Sequence, residues 1–223
     1  MSCNKTMLPF AAGLTVGIAS AIAIMGVLHP RRKAQKRLAK GNTIFLLCDI
    51  QEKFVPVIDK MSQVIASAKG LLATADAMNI PVIATEQYPK ALGHTVKDLD
   101  VTKAQVFAKT LFSMCTPEVL EAILATKRKS AVIFGVEAHV CVQQTTMDLL
   151  ERGFEVHIAA DAVSSQRPDE ASFALARLEA AGAVITTSES VMFELMRDKD
   201  TPEFKAVSAA VKDLANTKKT LAA

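Results

Sequence analysis

Cys141 lies in the run Gly135-Val136-Glu137-Ala138-His139-Val140-Cys141, where a short apolar segment gives way to an amphipathic one. A thiol at the junction of a buried strand and a helix N-terminus sits among unpaired backbone N–H groups. Those groups and the helix dipole favour thiolate and can hold an oxyanion. Attack by such a thiol calls for a proton acceptor and a nearby cation. Asp49 follows the run Thr43 to Cys48, a carboxylate at a strand end where it should be partly desolvated. Lys109 stands in Phe107-Ala108-Lys109-Thr110-Leu111-Phe112, where an ammonium either snorkels or is paired inside. Each also has a plain reading taken singly. Asp49 could be a structural carboxylate, Lys109 a surface stem, and Cys141 core filling, which is how Cys48 reads within its strand. Cys115 reads as loop or core. His139 is two residues before Cys141, a spacing that points helical side chains apart, so it is a poor partner for the thiol. The chain's four His show no metal-ligand spacing, and no Gly-rich phosphate loop is present.

The elements that must position these groups alternate between strand-like and helical runs, which argues a parallel sheet in an α/β domain. Strand-like runs are Thr43 to Cys48, Val82 to Thr85, Gln105 to Phe107 (the weakest), Ala131 to Phe134, Phe154 to Ala159 and Ala183 to Thr186. Helical patterns fill Val57 to Met78, Pro117 to Ala125, Val140 to Arg152, Asp169 to Ala181 and Pro202 to Ala215. Tyr88 to Lys103 reads as a long loop. Open parallel sheets bind ligands beyond the carboxyl ends of their strands. Asp49, Thr85, Glu86, Lys109, Asp161 and the run Gly135 to Cys141 all fall there, so Asp49, Lys109 and Cys141 are expected to converge.

The chain has 223 residues, half of them hydrophobic, and a net charge of +3 that is unevenly spread. Residues 1–40 hold seven Lys or Arg and no acid, leaving 19 basic and 23 acidic residues, a balance of −4, over 41–223. The globular part therefore offers no general field for nucleic acid. The four Cys (Cys3, Cys48, Cys115, Cys141) form no zinc or disulfide pattern, which fits a reducing compartment. Residues 7–28 are 22 uncharged residues, long enough to span a bilayer, followed by Arg31, Arg32, Lys33, Lys36, Arg37 and Lys40. The reading is a tail (1–6), a transmembrane signal-anchor (7–28), a basic juxtamembrane linker (29–42) and a globular domain (43–223). The basic flank would contact anionic lipid and keep the domain on the cytosolic side of the mitochondrial outer membrane or another organelle. Cleavage of 7–28 is the weaker alternative.

The motifs CDIQEKF (48–54), TEQYPKALG (85–93), KTLFSM (109–114) and GVEAHVC (135–141) occur in this order. Together they resemble the isochorismatase-like cysteine hydrolases, and with TSES (187–190) they look most like the eukaryotic isochorismatase domain-containing subgroup. The resemblance covers roughly residues 43–212. It implies a doubly wound, six-stranded parallel sheet with helices on both faces. It also implies an Asp-Lys-Cys triad falling on Asp49, Lys109 and Cys141. A cis peptide at Val136–Glu137 is implied too, with an oxyanion hole from the N–H groups of Glu137 and Cys141. Glu86, Gln87 and Tyr88 become candidate substrate contacts.

Nicotinamidases of this superfamily bind a metal through an Asp-x-His pair and further His. Here the corresponding region reads Thr85-Glu86-Gln87-Tyr88-Pro89, so no metal and no cofactor are expected. Isochorismatases proper cleave a vinyl ether without needing the cysteine, so Cys141 points instead to an amide or ureide. The function expected is a membrane-anchored hydrolase of a small molecule. A non-catalytic scaffold is the alternative, and RNA processing is a third reading that the acidic domain and single Tyr disfavour. The oligomeric state is open, a homo-oligomer included.

Overall fold

Six short, largely aliphatic runs build one sheet in the computed structural model, which describes residues 37–222. The strands are β1 (Thr43–Cys48), β2 (Val82–Gln87), β3 (Gln105–Lys109), β4 (Ser130–Val136), β5 (Glu155–Ser164) and β6 (Val184–Thr186). Their order is β3-β2-β1-β4-β5-β6, parallel throughout. The helices are α1 (Met61–Met78), α2 (Pro89–Leu92), α3 (Pro117–Ala125), α4 (Gln143–Glu151), α5 (Pro168–Ala181), α6 (Ser188–Met196) and α7 (Phe204–Ala222). The chain starts mid-sheet at β1, winds outward to β3, then returns beside β1 with β4 and winds the other way. Right-handed crossovers in opposite directions put helices on both faces. The carboxyl ends of β1 and β4 therefore flank the switch point, where such sheets carry ligands.

Every residue of β1 is buried, so its period-two side chains feed two cores. Phe45 and Leu47 join Leu71 of α1, Val191 and Met192 of α6 and Leu214 of α7. Ile44, Leu46 and Cys48 join Val119 and Ile123 of α3, Leu149 of α4 and Leu178 of α5. Phe45 and Phe134 meet edge to face at 6.0 Å between ring centroids, a favoured aromatic geometry that fixes β1 against β4.

Several elements run beyond their sequence patterns. β2 and β3 extend to Gln87 and Lys109, so Lys109 is the last strand residue rather than a loop residue. β5 continues past Ala159 to Ser164, because an irregularity between Ile133 and Gly135 lets pairing resume despite the polar Asp161. α6 has no counterpart among the sequence-read helices. It begins where Thr187 accepts the Ser190 N–H as an N-cap. The stretch Tyr88 to Lys103 holds the short α2.

The single-pass membrane placement is corrected. Among the described residues no helix is long and apolar enough to cross a membrane, and the expected span 7–28 lies outside the described residues. The linker boundary also moves. Leu38 is fully buried, its N–H donates to Glu194 Oε1 (2.9 Å), and Arg197 donates to its carbonyl (2.6 Å). The apolar side chain at position 38 and the cap of α6 thus dock this stretch onto the domain.

Asp161 ties α1, α6 and α7 to the sheet. Its carboxylate accepts from Ser67 Oγ (3.2 Å), Ser188 N (2.6 Å), Ser188 Oγ (2.5 Å) and Lys218 Nζ (2.5 Å). Burial pushes its pKa up, but Lys218 and Ser188 outweigh this and hold it below the usual carboxylate range. A depressed folded pKa adds stability above the unfolded value, about 3.9, and that stability is lost as pH falls through the folded value. Asp161→Asn is therefore expected to cost about 2 to 3 kcal/mol at neutral pH. In urea melts, the gap to wild type should close as pH drops below about 4.

Candidate active site

Three strand ends deliver the site. Asp49, just past β1, takes a left-handed backbone (φ 53°) and is 1% exposed. Its N–H donates to the Thr85 carbonyl (3.2 Å), and the Thr85 hydroxyl donates to Asp49 Oδ1 (2.7 Å). Lys109 closes β3, and its Nζ donates to Asp49 Oδ2 (2.7 Å). Further acceptors surround that ammonium: Gln87 Oε1 (2.7 Å) and the carbonyls of Leu111 (3.2 Å) and Phe112 (3.0 Å). An ammonium has only three protons, so these acceptors saturate it. Burial favours neutral lysine, yet the neighbouring Cys48, the Asp49 carboxylate and Cys141 overcome this and raise its pKa. Lys109 is thus a fixed cation, unsuited to taking up protons.

The loop that supplies the two carbonyls is anchored to α4, the helix that follows Cys141. Ser113 Oγ donates to Asp148 Oδ2 (2.6 Å), and Met114 N donates to Thr145 Oγ1 (2.8 Å). Thr145 Oγ1 in turn donates to the Cys141 carbonyl (2.7 Å). Cys141 lies in a single wide π turn, Ala138–Val142, where the Glu137 carbonyl accepts the N–H groups of Val140 (3.0 Å) and Val142 (3.3 Å). Such turns recur at functional sites because they re-aim one helical residue. Cys141 is 4% exposed.

One expectation at this turn fails. The Val136–Glu137 peptide is trans, as are all peptides among the described residues. The chain reverses instead through Gly135 (φ 144°) and Glu137 (φ 57°), left-handed rotations that redirect the backbone without a cis bond. Gly135 is required for a second reason. A Cβ there would lie 2.0 Å from the Cys48 carbonyl oxygen, so β1 and β4 approach each other only because that side chain is missing.

The three candidate substrate contacts differ. Glu86 accepts from Thr95 N (2.7 Å) and Thr95 Oγ1 (3.0 Å) and pairs with His94 Nδ1 (2.9 Å). These partners outweigh burial and hold its carboxyl below the usual range. Gln87 serves Lys109 and donates to the Thr110 carbonyl (2.9 Å). Both side chains are thus engaged by the protein itself, whereas Tyr88 is half exposed. His139 Nδ1 meets Ser165 Oγ (3.0 Å) and lies 3.4 Å from Glu137 Oε2. Both contacts use the same ring nitrogen, so the three do not form a Ser-His-acid relay.

Sequence reasoning placed Thr85 at its strand end but missed its bond to Asp49, along with Gln87 as a partner of Lys109 and the place of Cys48 beside Asp49. The Cys48 sulfur lies 3.6 Å from Asp49 Oδ2. Its hydrogen bond with Cys141, then burial and the Asp49 charge, push its thiol up, against the pull of Lys109. Cys115, away from this cluster, is pushed up to about 11 by burial. No group of three or more His, Cys, Asp or Glu among the described residues is arranged to hold a metal ion.

A buried Asp-Lys pair stands at the switch point of a doubly wound sheet, with cysteines at the adjoining strand end and turn, and sequence comparison identifies the family. The Isochorismatase domain matches residues 43–190, from the first residue of β1 into α6. The chain belongs to the isochorismatase family. It is 49% identical over 178 residues to isochorismatase domain-containing protein 1 of Danio rerio, covering 78% of this chain and 62% of that one. The match thus spans less than two thirds of that relative. A structure described as MAR1 ribonuclease from Caenorhabditis elegans is 42% identical with a TM-score of 0.76, over 79% of this chain and 92% of that one. YcaC from Pseudomonas aeruginosa, solved with hexane-2,5-diol and covalent acrylamide, is 27% identical with a TM-score of 0.75, over 86% and 100%.

Proposed function

We propose that the protein is a cysteine hydrolase of a small amide- or ureide-like substrate, working through a thioester on Cys141. The observation that carries this reading is the meeting of Asp49 and Lys109. They lie 60 residues apart in sequence, are both buried, and are joined at 2.7 Å where β1 and β3 end. Asp49 takes the Cys141 proton, and the fixed Lys109 cation stabilises the thiolate. The thiolate attacks the substrate carbonyl. The N–H groups of Glu137 and Cys141 are the proposed oxyanion donors, each worth about 2.7 to 4 kcal/mol by analogy. Asp49 then gives the proton to the leaving nitrogen, the C–N bond breaks, and water hydrolyses the thioester. The deep burial of Cys141 favours a small substrate over a polymer.

A ribonuclease reading draws on the description of the C. elegans relative. The excess of acid over base in residues 41–223 disfavours it. One experiment separates the readings. Wild type and Cys141→Ala are incubated with an amide and ureide panel and with RNA. Substrate hydrolysis, with an acyl mass on the Cys141 peptide that is absent from Cys141→Ala, is the expected result. RNA cleavage that survives Cys141→Ala would favour the ribonuclease reading, and no turnover of anything would favour the scaffold.

A further inference from the structure

Cys48 is a buried thiol beside the site that the proposed mechanism leaves unused. It is the last residue of β1, fully buried, and packs in the same apolar cluster as Cys141. It pairs in register with Gly135, whose missing side chain lets the two strand ends close up. Its sulfur donates to Asp49 Oδ2 at 3.6 Å, on the same oxygen that receives Lys109. A thiol hydrogen rotates freely about its C–S bond, so one donor can serve two acceptors in turn.

We propose that Cys48 is a positioning residue whose S–H follows the negative charge from Asp49 to Cys141. The inference rests on Cys141 being the nucleophile. At rest the charge is on Asp49, and the Cys48 S–H points to it. When the Cys141 S–H bond breaks, its proton goes to the Asp49 carboxylate and its electron pair stays on sulfur. Asp49 is then neutral and the negative charge sits on Cys141, so the Cys48 S–H turns to the thiolate. Cys48 keeps its own proton throughout, and Lys109 remains a cation. The packing of Cys48 and Cys141 in one buried cluster supports this, as does the upward push on Cys48 from Cys141, burial and Asp49, which keeps it a donor. A donor in a site closed to solvent also matters more than one that water could replace. The charged or titratable groups facing Cys48 are Asp49 at its strand end, Lys109 from β3 and Cys141 from the π turn.

The test follows iodoacetamide alkylation of Cys141 in the full-length protein from about pH 5 to about pH 10, read by peptide mass spectrometry. Cys48→Ala is expected to move the alkylation midpoint upward by about one to two pH units. Cys48→Ser, which keeps a donor, should restore most of the shift, an outcome that core filling alone does not give. Cys48→Val replaces Cys48→Ala should the cavity unfold the domain. A depressed wild-type midpoint left unmoved by Cys48→Ala or Cys48→Val would overturn this inference alone. A wild-type Cys141 that titrates like an ordinary thiol would overturn it together with the nucleophile assignment.

Discussion

Lys109→Met is expected to lower stability by about 3 to 5 kcal/mol and to abolish turnover. The side chains of Lys109 and Asp49 are 0% and 1% exposed, so removing the ammonium strands a carboxylate with no water to replace its partner. Methionine fills the same volume, which keeps the loss electrostatic rather than steric. The double variant Lys109→Met, Asp49→Asn removes both charges. It should regain most of the lost stability while staying inactive, because stability needs only a matched pair whereas the reaction needs both groups. Urea melts of the four proteins in the cycle measure the coupling. Because the folded pKa of Lys109 is raised, its contribution is fully present below the unfolded value, about 10.4, and fades only as pH rises through the folded value. The gap between wild type and Lys109→Met should therefore persist at neutral pH and narrow only in strong alkali. A loss below about 1 kcal/mol would show that the pair is screened like a surface ion pair.

Gly135→Ala carries the second large effect. Its Cβ would meet the Cys48 carbonyl oxygen at 2.0 Å, the carbonyl carbon at 2.7 Å and Cα at 2.8 Å, all backbone atoms of a central strand. Relief requires β1 and β4 to part, and their ends carry Asp49 and the turn to Cys141. The expected loss is above about 4 kcal/mol, with a protein that fails to fold or folds without activity. Gly70→Ala is the control. There the nearest atom is the flexible Met192 methyl at 2.5 Å, and alanine improves the propensity of α1, so the change should stay within about 1 kcal/mol. Equal losses for the two variants would show that side-chain crowding, not the β1–β4 contact, sets the cost.

The strands were legible because a parallel sheet buries both faces of its centre. Thr43 to Cys48 is an unbroken apolar run in sequence and is β1 in the structure. The positions of Asp49, Lys109 and Cys141 followed from strand ends and from family motifs. What stayed hidden depends on neighbours that sequence does not place together. The strand character of Asp161 to Ser164 comes from pairing with β4 across an irregularity, and no local pattern announces it. Thr85 holds Asp49 only because β1 and β2 pair Cys48 with Thr85. Cys48 looked like core filling, which its burial fits, but its contact with Asp49 is set by the end of a strand rather than by composition. The backbone at Val136–Glu137 is set by rotation angles, which residue identity at Glu137 does not reveal.

Asp49, Tyr88 and Glu137, which follow β1, β2 and β4, all hold a left-handed backbone that side chains other than glycine adopt reluctantly. The rim of the site is therefore under conformational tension that the surrounding packing restrains. Glycine at Tyr88 or Glu137 would relax the chain and delete a side chain from the rim, whereas glycine at Asp49 would also strand the buried Lys109 ammonium. Selection for thermal tolerance alone should drift toward glycine at Tyr88 and Glu137 but not at Asp49, and a screen scored on both heat resistance and turnover should find the two at odds at those two positions more sharply than elsewhere in the domain.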